Sequence, residues 1–397
     1  MNNKLIITKQ DNRIISSIYE GNEMVQVNID YAGKKSILGN IYIGKVKNIV
    51  KNINAAFVEI SDGRMCYLSL EENLYPIFVN AKKTDKIVIG DEILVQVSKE
   101  DIKTKAPAVT TNLNFTGKYI VLVHGKSAVG VSSKIQDDAE RKRLKGLMKD
   151  YLQESYGFIV RTNAVNVTEE QLQAELQILK KCYDEIKEFG IHKTKFTLLY
   201  ETPPGYLCDI RDGFADSIDE IVTDDTIIYN EMKQYLSDYQ KEDLHKLHLY
   251  EDKLISLNNL YSVNTKLENA LREKVWLKSG GTIIIQPTEA LTVIDINTGK
   301  AISGKKKAQE TFFKINMEAA HEIAKQVRLR NISGIIIIDF IDMDAQSDKA
   351  ALMKELDGLF RKDPIKTTLV DMTALNLVEV TRKKVRKPIH EQIKIKE

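Results

Sequence analysis

The 397-residue sequence predicts an α+β multidomain protein. Three observations carry this. The length exceeds what one hydrophobic core ordinarily organises. Short apolar runs separated by turn residues crowd positions 39–97, as in a small barrel. Strand-like and amphipathic helical segments alternate after Gly280, as in a layered α/β unit.

The elements follow in order. Residues 4–8 and 24–29 read as strands of alternating character. Residues 40–46, 55–60, 66–70 and 93–97 follow, with turns at Asp62-Gly63 and Gly90-Asp91. Five-stranded OB barrels of this size bind single-stranded nucleic acid through aromatic and basic side chains. Here Tyr42, Phe57 and Tyr67 are interleaved with Lys45, Lys47 and Lys51. Tyr42 is expected in the barrel core, and Phe57 and Tyr67 at its surface.

Residues 112–200 mix strands (119–123 and 157–162) with helices over 137–153 and 168–189. The second helix opens on Thr168-Glu169-Glu170-Gln171, a capping box. Thr202-Pro203-Pro204-Gly205 marks a break, and helical stretches flank positions 220–225. Gly280-Gly281 opens the last unit, with a strand at 282–285, a strand ending in Asp295 and a basic loop at Lys305-Lys306-Lys307. The next helix, about 309–330, is expected to bury Phe312, Ile315, Ala319, Ile323 and Val327. A strand ending in Asp339, a helix at 349–361 and a last strand at 367–370 complete the reading. No internal repeat is visible.

The totals exclude some classes. The 58 basic and 56 acidic residues nearly cancel, so overall charge names no partner. Cys66, Cys182 and Cys208 are far apart, which indicates a reducing compartment and gives no zinc signature. His245 and His248 share a helical face but have no third ligand nearby, and read as solvated. No apolar run has the length of a signal h-region or a membrane span. A cytoplasmic protein without a membrane partner is expected.

Two apolar runs carry the chemistry. One is Ala290-Leu291-Thr292-Val293-Ile294-Asp295-Ile296-Asn297; the other is Gly334-Ile335-Ile336-Ile337-Ile338-Asp339-Phe340-Ile341-Asp342. Each reads as a buried strand ending in a carboxylate, which is costly unless paired. Two carboxylates within about 4 Å repel by roughly 4 kcal/mol at an effective dielectric near 20. A hard cation such as Mg²⁺ reverses the sign and needs only one or two carboxylates, because it keeps waters. Asn297, at i+2, shares the face of Asp295 and can hydrogen-bond a substrate or water. Asp342 would face away from Asp339 on an extended strand. A single strand-end Asp often only caps a loop, and the pattern alone does not name the reaction.

At this point the chain resembles the ribonuclease E/G family of bacterial endoribonucleases over nearly its whole length. The most specific pieces run from Thr288 to Asn297, from Asn316 to Ala324, from Val327 to Asn331 and from Ile336 to Met343. Asn40-Ile41-Tyr42-Ile43-Gly44-Lys45-Val46 with Ala55-Ala56-Phe57-Val58 looks like that family's S1-type barrel, and Arg161-Thr162 and Leu377 to Arg386 also fit. The resemblance implies an RNase H-like subdomain split between 1–35 and 201–272. An S1-type OB barrel (36–111) and a 5′-sensor domain (112–200) are inserted in it, and a DNase I-like catalytic subdomain (273–397) follows.

It further implies that Asp295 and Asp339 ligate Mg²⁺ and that Asn297 supports the scissile phosphate or the attacking water. Phe57, Tyr67 and Lys105 would hold single-stranded RNA. Gly117, Val121, Arg161, Thr162 and Lys366 would recognise a 5′-monophosphate. In-line hydrolysis would leave a 5′-phosphate and a 3′-hydroxyl.

There are three departures from the family. Lys366 stands where the family usually has Arg, which removes a bidentate fork. Gly130-Val131-Ser132-Ser133-Lys134 lacks an arginine of the family's Gly-Val-Ser-Arg-Arg. The sequence ends at Glu397, before the family's zinc-sharing CPxC pair and small dimerisation domain. Any homodimer is therefore expected not to depend on a zinc link. The run Arg382 to Lys387 is expected to contact phosphates. The alternative, from another class, is a non-catalytic RNA-binding protein that uses the barrel and the basic segments.

Overall fold

The computed structural model describes residues 3–33, 36–80, 82, 84–100, 106–213, 218–299 and 308–393. The chain divides into two compact units. One comprises residues 1–33, 217–233 and 245–397; the other comprises 34–216 and 234–244.

The first unit holds two sheets. In the smaller sheet the strand order is Leu247–Leu249, Glu220–Thr223, Asn3–Gln10, Arg13–Glu20, Glu23–Tyr31. The first two pairings are parallel and the last two antiparallel. Arg13–Glu20 has no alternating exposure, because six consecutive residues are buried, and so it escapes a pattern reading. Ile6, Ile15, Tyr19 and Val27 pack with Leu257, Val263, Leu267 and Ile389. The short helix Ile389–Ile393 is tied to the Glu23–Tyr31 strand. Gln392 Oε1 accepts from the Ile29 N–H at 2.8 Å, and the Tyr31 hydroxyl donates to the Gln392 carbonyl at 3.0 Å.

The larger sheet has six strands in the order Lys274–Trp276, Thr282–Pro287, Leu291–Asn297, Gly334–Asp339, Leu377–Arg382, Thr367–Met372. Leu291–Asn297 and Gly334–Asp339 run parallel, and the other neighbours run antiparallel. Helices Ala308–Leu329 and Gln346–Arg361 share a core with one face of the sheet. There Ile294, Ile336, Ile338, Val378 and Val380 meet Ile315, Ala319, Ile323, Leu352 and Leu356. Phe313, rather than the expected Phe312, packs against this core. The expected last strand at 367–370 is followed by another, Leu377–Arg382, which inserts between it and the Asp339 strand.

In the second unit, Ile41–Val50, Ala55–Ser61, Arg64–Ser69, Ala108–Thr110 and Glu92–Lys99 form a closed five-stranded barrel of OB-like kind. The last strand returns to pair with the first. Val46, Ala56, Val58, Ile60, Cys66 and Leu68 fill it, with Tyr42 packed partly against them. A four-stranded sheet, Val129–Val131, Tyr156–Val160, Ile120–His124, Asn114–Thr116, packs with helices Asp138–Lys149 and Glu169–Phe189. The expected capping box is present. Thr168 Oγ1 accepts from the Gln171 N–H, and Gln171 Oε1 accepts from the Thr168 N–H.

Candidate functional site

Strand alternation builds the acidic pair. Ile294, Ile296, Ile336 and Ile338 point into the helix-covered core. Residues of the other parity, Asp295, Asn297 and Asp339, therefore project from the opposite face. Asp295 and Asp339 are direct register partners across the parallel pair. The strands are thus buried on one side only, so Asp295 is half-buried and Asp339 and Asn297 are exposed. Asn297 lies beside Asp295 as expected, and its Nδ2 donates to Asp295 Oδ2 at 2.5 Å. Partial burial, then the charges of Asp295 and Asp342, raises the Asp339 pKa.

Asp342 falls beyond the end of its strand, so strand parity does not direct it. Its Oδ1 accepts from Asn376 Nδ2 at 3.1 Å, and Asn376 Oδ1 accepts from Lys349 Nζ at 2.8 Å. Among the described residues no group of three or more His, Cys, Asp or Glu is placed to hold a metal ion. The donor set is therefore a carboxylate pair that repels itself. That suits a hard divalent ion that keeps most of its waters, and does not suit a closed zinc site.

On the barrel, Phe57 and Tyr67 are register partners whose rings meet edge to face, with centroids 6.3 Å apart. They alternate with the barrel-filling residues and are half-buried. Lys105 and the Lys305-Lys306-Lys307 loop lie outside the described residues. His245 and His248 are exposed.

Arg161 follows the Tyr156–Val160 strand, and its NH1 donates to the Gly117 carbonyl at 2.6 Å. Its NH2 donates to Asp212 Oδ1 at 2.8 Å. Thr162 is exposed, and its hydroxyl lies 3.1 Å from that of Ser132. Val121 is half-buried on the neighbouring strand, opposite Ile159. Lys366 is exposed and belongs to the other compact unit.

Gly117 is glycine for a steric reason, because a Cβ there would overlap the Glu175 carboxylate. Glu175 accepts the backbone N–H groups of Lys118, Tyr119 (2.9 Å) and Ile120 (2.8 Å). Its burial raises the carboxyl pKa against the pull of those three donors. Glu175, Arg211 and Asp212 are the members of this region that sequence reasoning misses. A signal existed for Glu175, which is a carboxylate set in the buried stripe of Leu172, Leu176 and Leu179.

One expectation is corrected. Arg382, placed in a phosphate-contacting basic run, is buried. Its guanidinium donates to both oxygens of Asp363 (2.6 and 3.2 Å), to Asn331 Oδ1 at 2.8 Å and to the Ile332 carbonyl at 3.1 Å. Lys383 and Lys384 are exposed.

A closed OB-like barrel, an α/β-layered sheet and an acidic pair on the sheet face opposite its helices define a mixed α+β protein. A model of the Ribonuclease E/G family matches residues 114–385. The chain belongs to the ribonuclease E/G family. It is 34% identical over 395 residues to ribonuclease G of Escherichia coli strain K12, an alignment covering 96% of this chain and 80% of that protein. Ribonuclease G of Haemophilus influenzae is 33% identical over 396 residues, covering 96% and 79% respectively. Ribonuclease E of Nostoc sp. is 33% identical over 394 residues, covering 98% of this chain and 57% of that protein. Among the described residues, no helix is long and apolar enough to cross a membrane.

Proposed function

We propose that this chain is an endoribonuclease of RNA processing or decay that hydrolyses single-stranded RNA with Mg²⁺. The observation that carries the reading is the register pairing of Asp295 and Asp339 on the sheet face opposite the helices, with Asn297 bonded to Asp295, in a member of this family. Asp295 and Asp339 are the residues that would hold the ion. When bound, Mg²⁺ supplies Lewis-acid polarisation of a phosphate oxygen and acidifies water. Asn297 fixes the Asp295 carboxylate through one amide hydrogen and keeps a second donor and a carbonyl for the scissile phosphate or the attacking water. Phe57 and Tyr67 offer stacking faces to unpaired bases, each worth about 1–3 kcal/mol in such sites. Lys105 adds a cation for the backbone. Hydrolysis leaves a 5′-phosphate and a 3′-hydroxyl.

The five-stranded order, three antiparallel strands continued by two parallel ones, supports an RNase H-like subdomain. The six-stranded sheet with its two helices supports a DNase I-like one. Gly117, Val121, Arg161 and Thr162 would sense a 5′-monophosphate, since guanidinium and hydroxyl donors match phosphate oxygens. A cytoplasmic location fits an RNA substrate.

The test uses a fluorescent single-stranded RNA and a DNA of matched sequence, with Mg²⁺ or EDTA. Wild type is expected to cut the RNA only with Mg²⁺, and Asp295→Asn to bind RNA without cutting it. Unchanged cutting in EDTA, or by the variant, overturns the reading.

A further inference from the structure

The Arg161 guanidinium, the sensor cation of the reading above, already holds an anion. Asp212 ends the helix Gly205–Asp212 and is gripped at both oxygens by its neighbour. Arg211 Nε donates to Oδ1 and NH2 to Oδ2, each at 2.9 Å. Arg161 makes one bond to the same carboxylate, at 2.8 Å. The two grips differ in kind. Arg211 is nearly buried, with a side chain 12% exposed. It needs that carboxylate, because an unpaired buried charge is strongly destabilising. The Arg161–Asp212 pair is accessible, at 22% and 39% side-chain exposure. A single hydrogen bond between such groups contributes little net stability and is replaceable.

A second tether keeps the helix end in place independently of that bond. Asn163 Nδ2 donates to the Gly213 carbonyl at 3.4 Å. Arg161 itself is anchored by the Gly117 carbonyl, and Gly117 is seated against Glu175. The guanidinium therefore stays put if Asp212 lets go. Burial opposes the charge on Asp212, but the Arg211 and then the Arg161 cations outweigh it and hold the carboxyl well below its usual range. Asp212 is thus a full anion at neutral pH.

We propose that Asp212 is an internal competitor for the 5′-phosphate: it occupies Arg161 in the RNA-free protein and is displaced by a 5′-monophosphate. This rests on the 5′-sensing reading. A terminal phosphomonoester carries roughly −1.5 to −2 charges near pH 7 and three strong acceptors, so it can outbid a shared carboxylate oxygen. A 5′-hydroxyl carries no charge and cannot. On release Asp212 keeps both bonds to Arg211, so displacement strands no buried charge. The competitor sets the affinity threshold of the sensor and leaves the chemical step untouched.

The experiment compares KM and kcat on one single-stranded RNA bearing a 5′-monophosphate or a 5′-hydroxyl, for wild type, Asp212→Asn and Arg161→Gln. Asp212→Asn is expected to lower KM for the monophosphate roughly threefold to fivefold, the scale of one exposed ion pair. The kcat and the hydroxyl-substrate KM are expected to stay unchanged. A monophosphate KM that is unchanged or higher in Asp212→Asn, with the wild-type preference intact and abolished in Arg161→Gln, overturns this inference alone. A wild type without preference, or a preference that survives Arg161→Gln, overturns the sensor reading and this inference with it. Should Asp212→Asn fold poorly, a crystal structure of wild type with a 5′-monophosphorylated dinucleotide decides. The Arg161–Asp212 contact is expected to open beyond about 4 Å with the Arg211 grip intact; a closed contact beside bound phosphate overturns the proposal.

Discussion

Asp295 and Asp339 leave the same face of one sheet at the same register of adjacent parallel strands. Such strands lie about 4.8 Å apart, so the two carboxylates are unavoidable neighbours. Asp339 registers this in its raised pKa, which follows from partial burial and then from the charges of Asp295 and Asp342. The Mg²⁺ proposed above would offset that repulsion.

Relief of that repulsion is testable without RNA. In EDTA, Asp339→Asn is expected to unfold at the same urea concentration as wild type or a higher one, with a gain of up to about 1 kcal/mol, the scale of an exposed charge pair. Clear destabilisation in EDTA would mean that the carboxylate is structural.

Gly117→Ala forces a methyl group into the Glu175 carboxylate. Overpacking of this kind typically costs about 1–3 kcal/mol, read as a lower urea midpoint. Because Gly117 also carries the carbonyl that holds Arg161, the same variant is expected to lose 5′-monophosphate preference.

The basic run near the end of the chain separates into two roles. Arg382→Ala removes one partner of a buried pair and is expected to destabilise by about 3–5 kcal/mol. Lys383→Ala, at an exposed position, is expected to stay within about 0.5 kcal/mol of wild type. It should instead flatten the slope of log affinity for single-stranded RNA against log salt by about 0.7. A stable Arg382→Ala protein would contradict the structural role.

His124 is buried between the Tyr183 hydroxyl (2.8 Å) and the Tyr75 carbonyl (2.9 Å). Burial lowers its pKa. The unfolded chain, with a His pKa near 6.5, therefore binds the proton first as pH falls. The neutral ring's contribution is complete above about pH 6.5 and declines below it, before the bulk of the carboxylates titrate. Urea unfolding from pH 7.5 down to 5.5 is expected to show falling stability in wild type and a flatter profile in His124→Gln. Parallel profiles would remove His124 as the source.

The sequence makes the barrel legible because four of its strands are apolar runs of six to ten residues separated by turn residues; only Arg64–Ser69 alternates cleanly between inside and outside. The fifth, Ala108–Thr110, has three residues, too few for a period. Arg13–Glu20 hides because burial on both faces erases alternation. Leu377–Arg382 hides behind the lysines that follow it, and the buried ion pair of Arg382 looks like solvated charge in a one-dimensional reading. Asp295, Asn297 and Asp339 are legible as a set, since carboxylates that end apolar runs are chemically conspicuous. Their common register is not legible, because it depends on how two distant segments pair. Asp212 gave no signal at all: its bond to Arg161 joins residues 51 positions apart through a helix end with nothing unusual in its composition.

The most direct measurement is electron paramagnetic resonance of Mn²⁺, a stand-in for Mg²⁺, titrated into wild type and Asp339→Asn. One bound ion per wild-type chain is expected, competed away by Mg²⁺, and none in the variant over the same range. Equal binding by the two proteins would remove Asp339 as a ligand and with it the acidic pair as the ion's site.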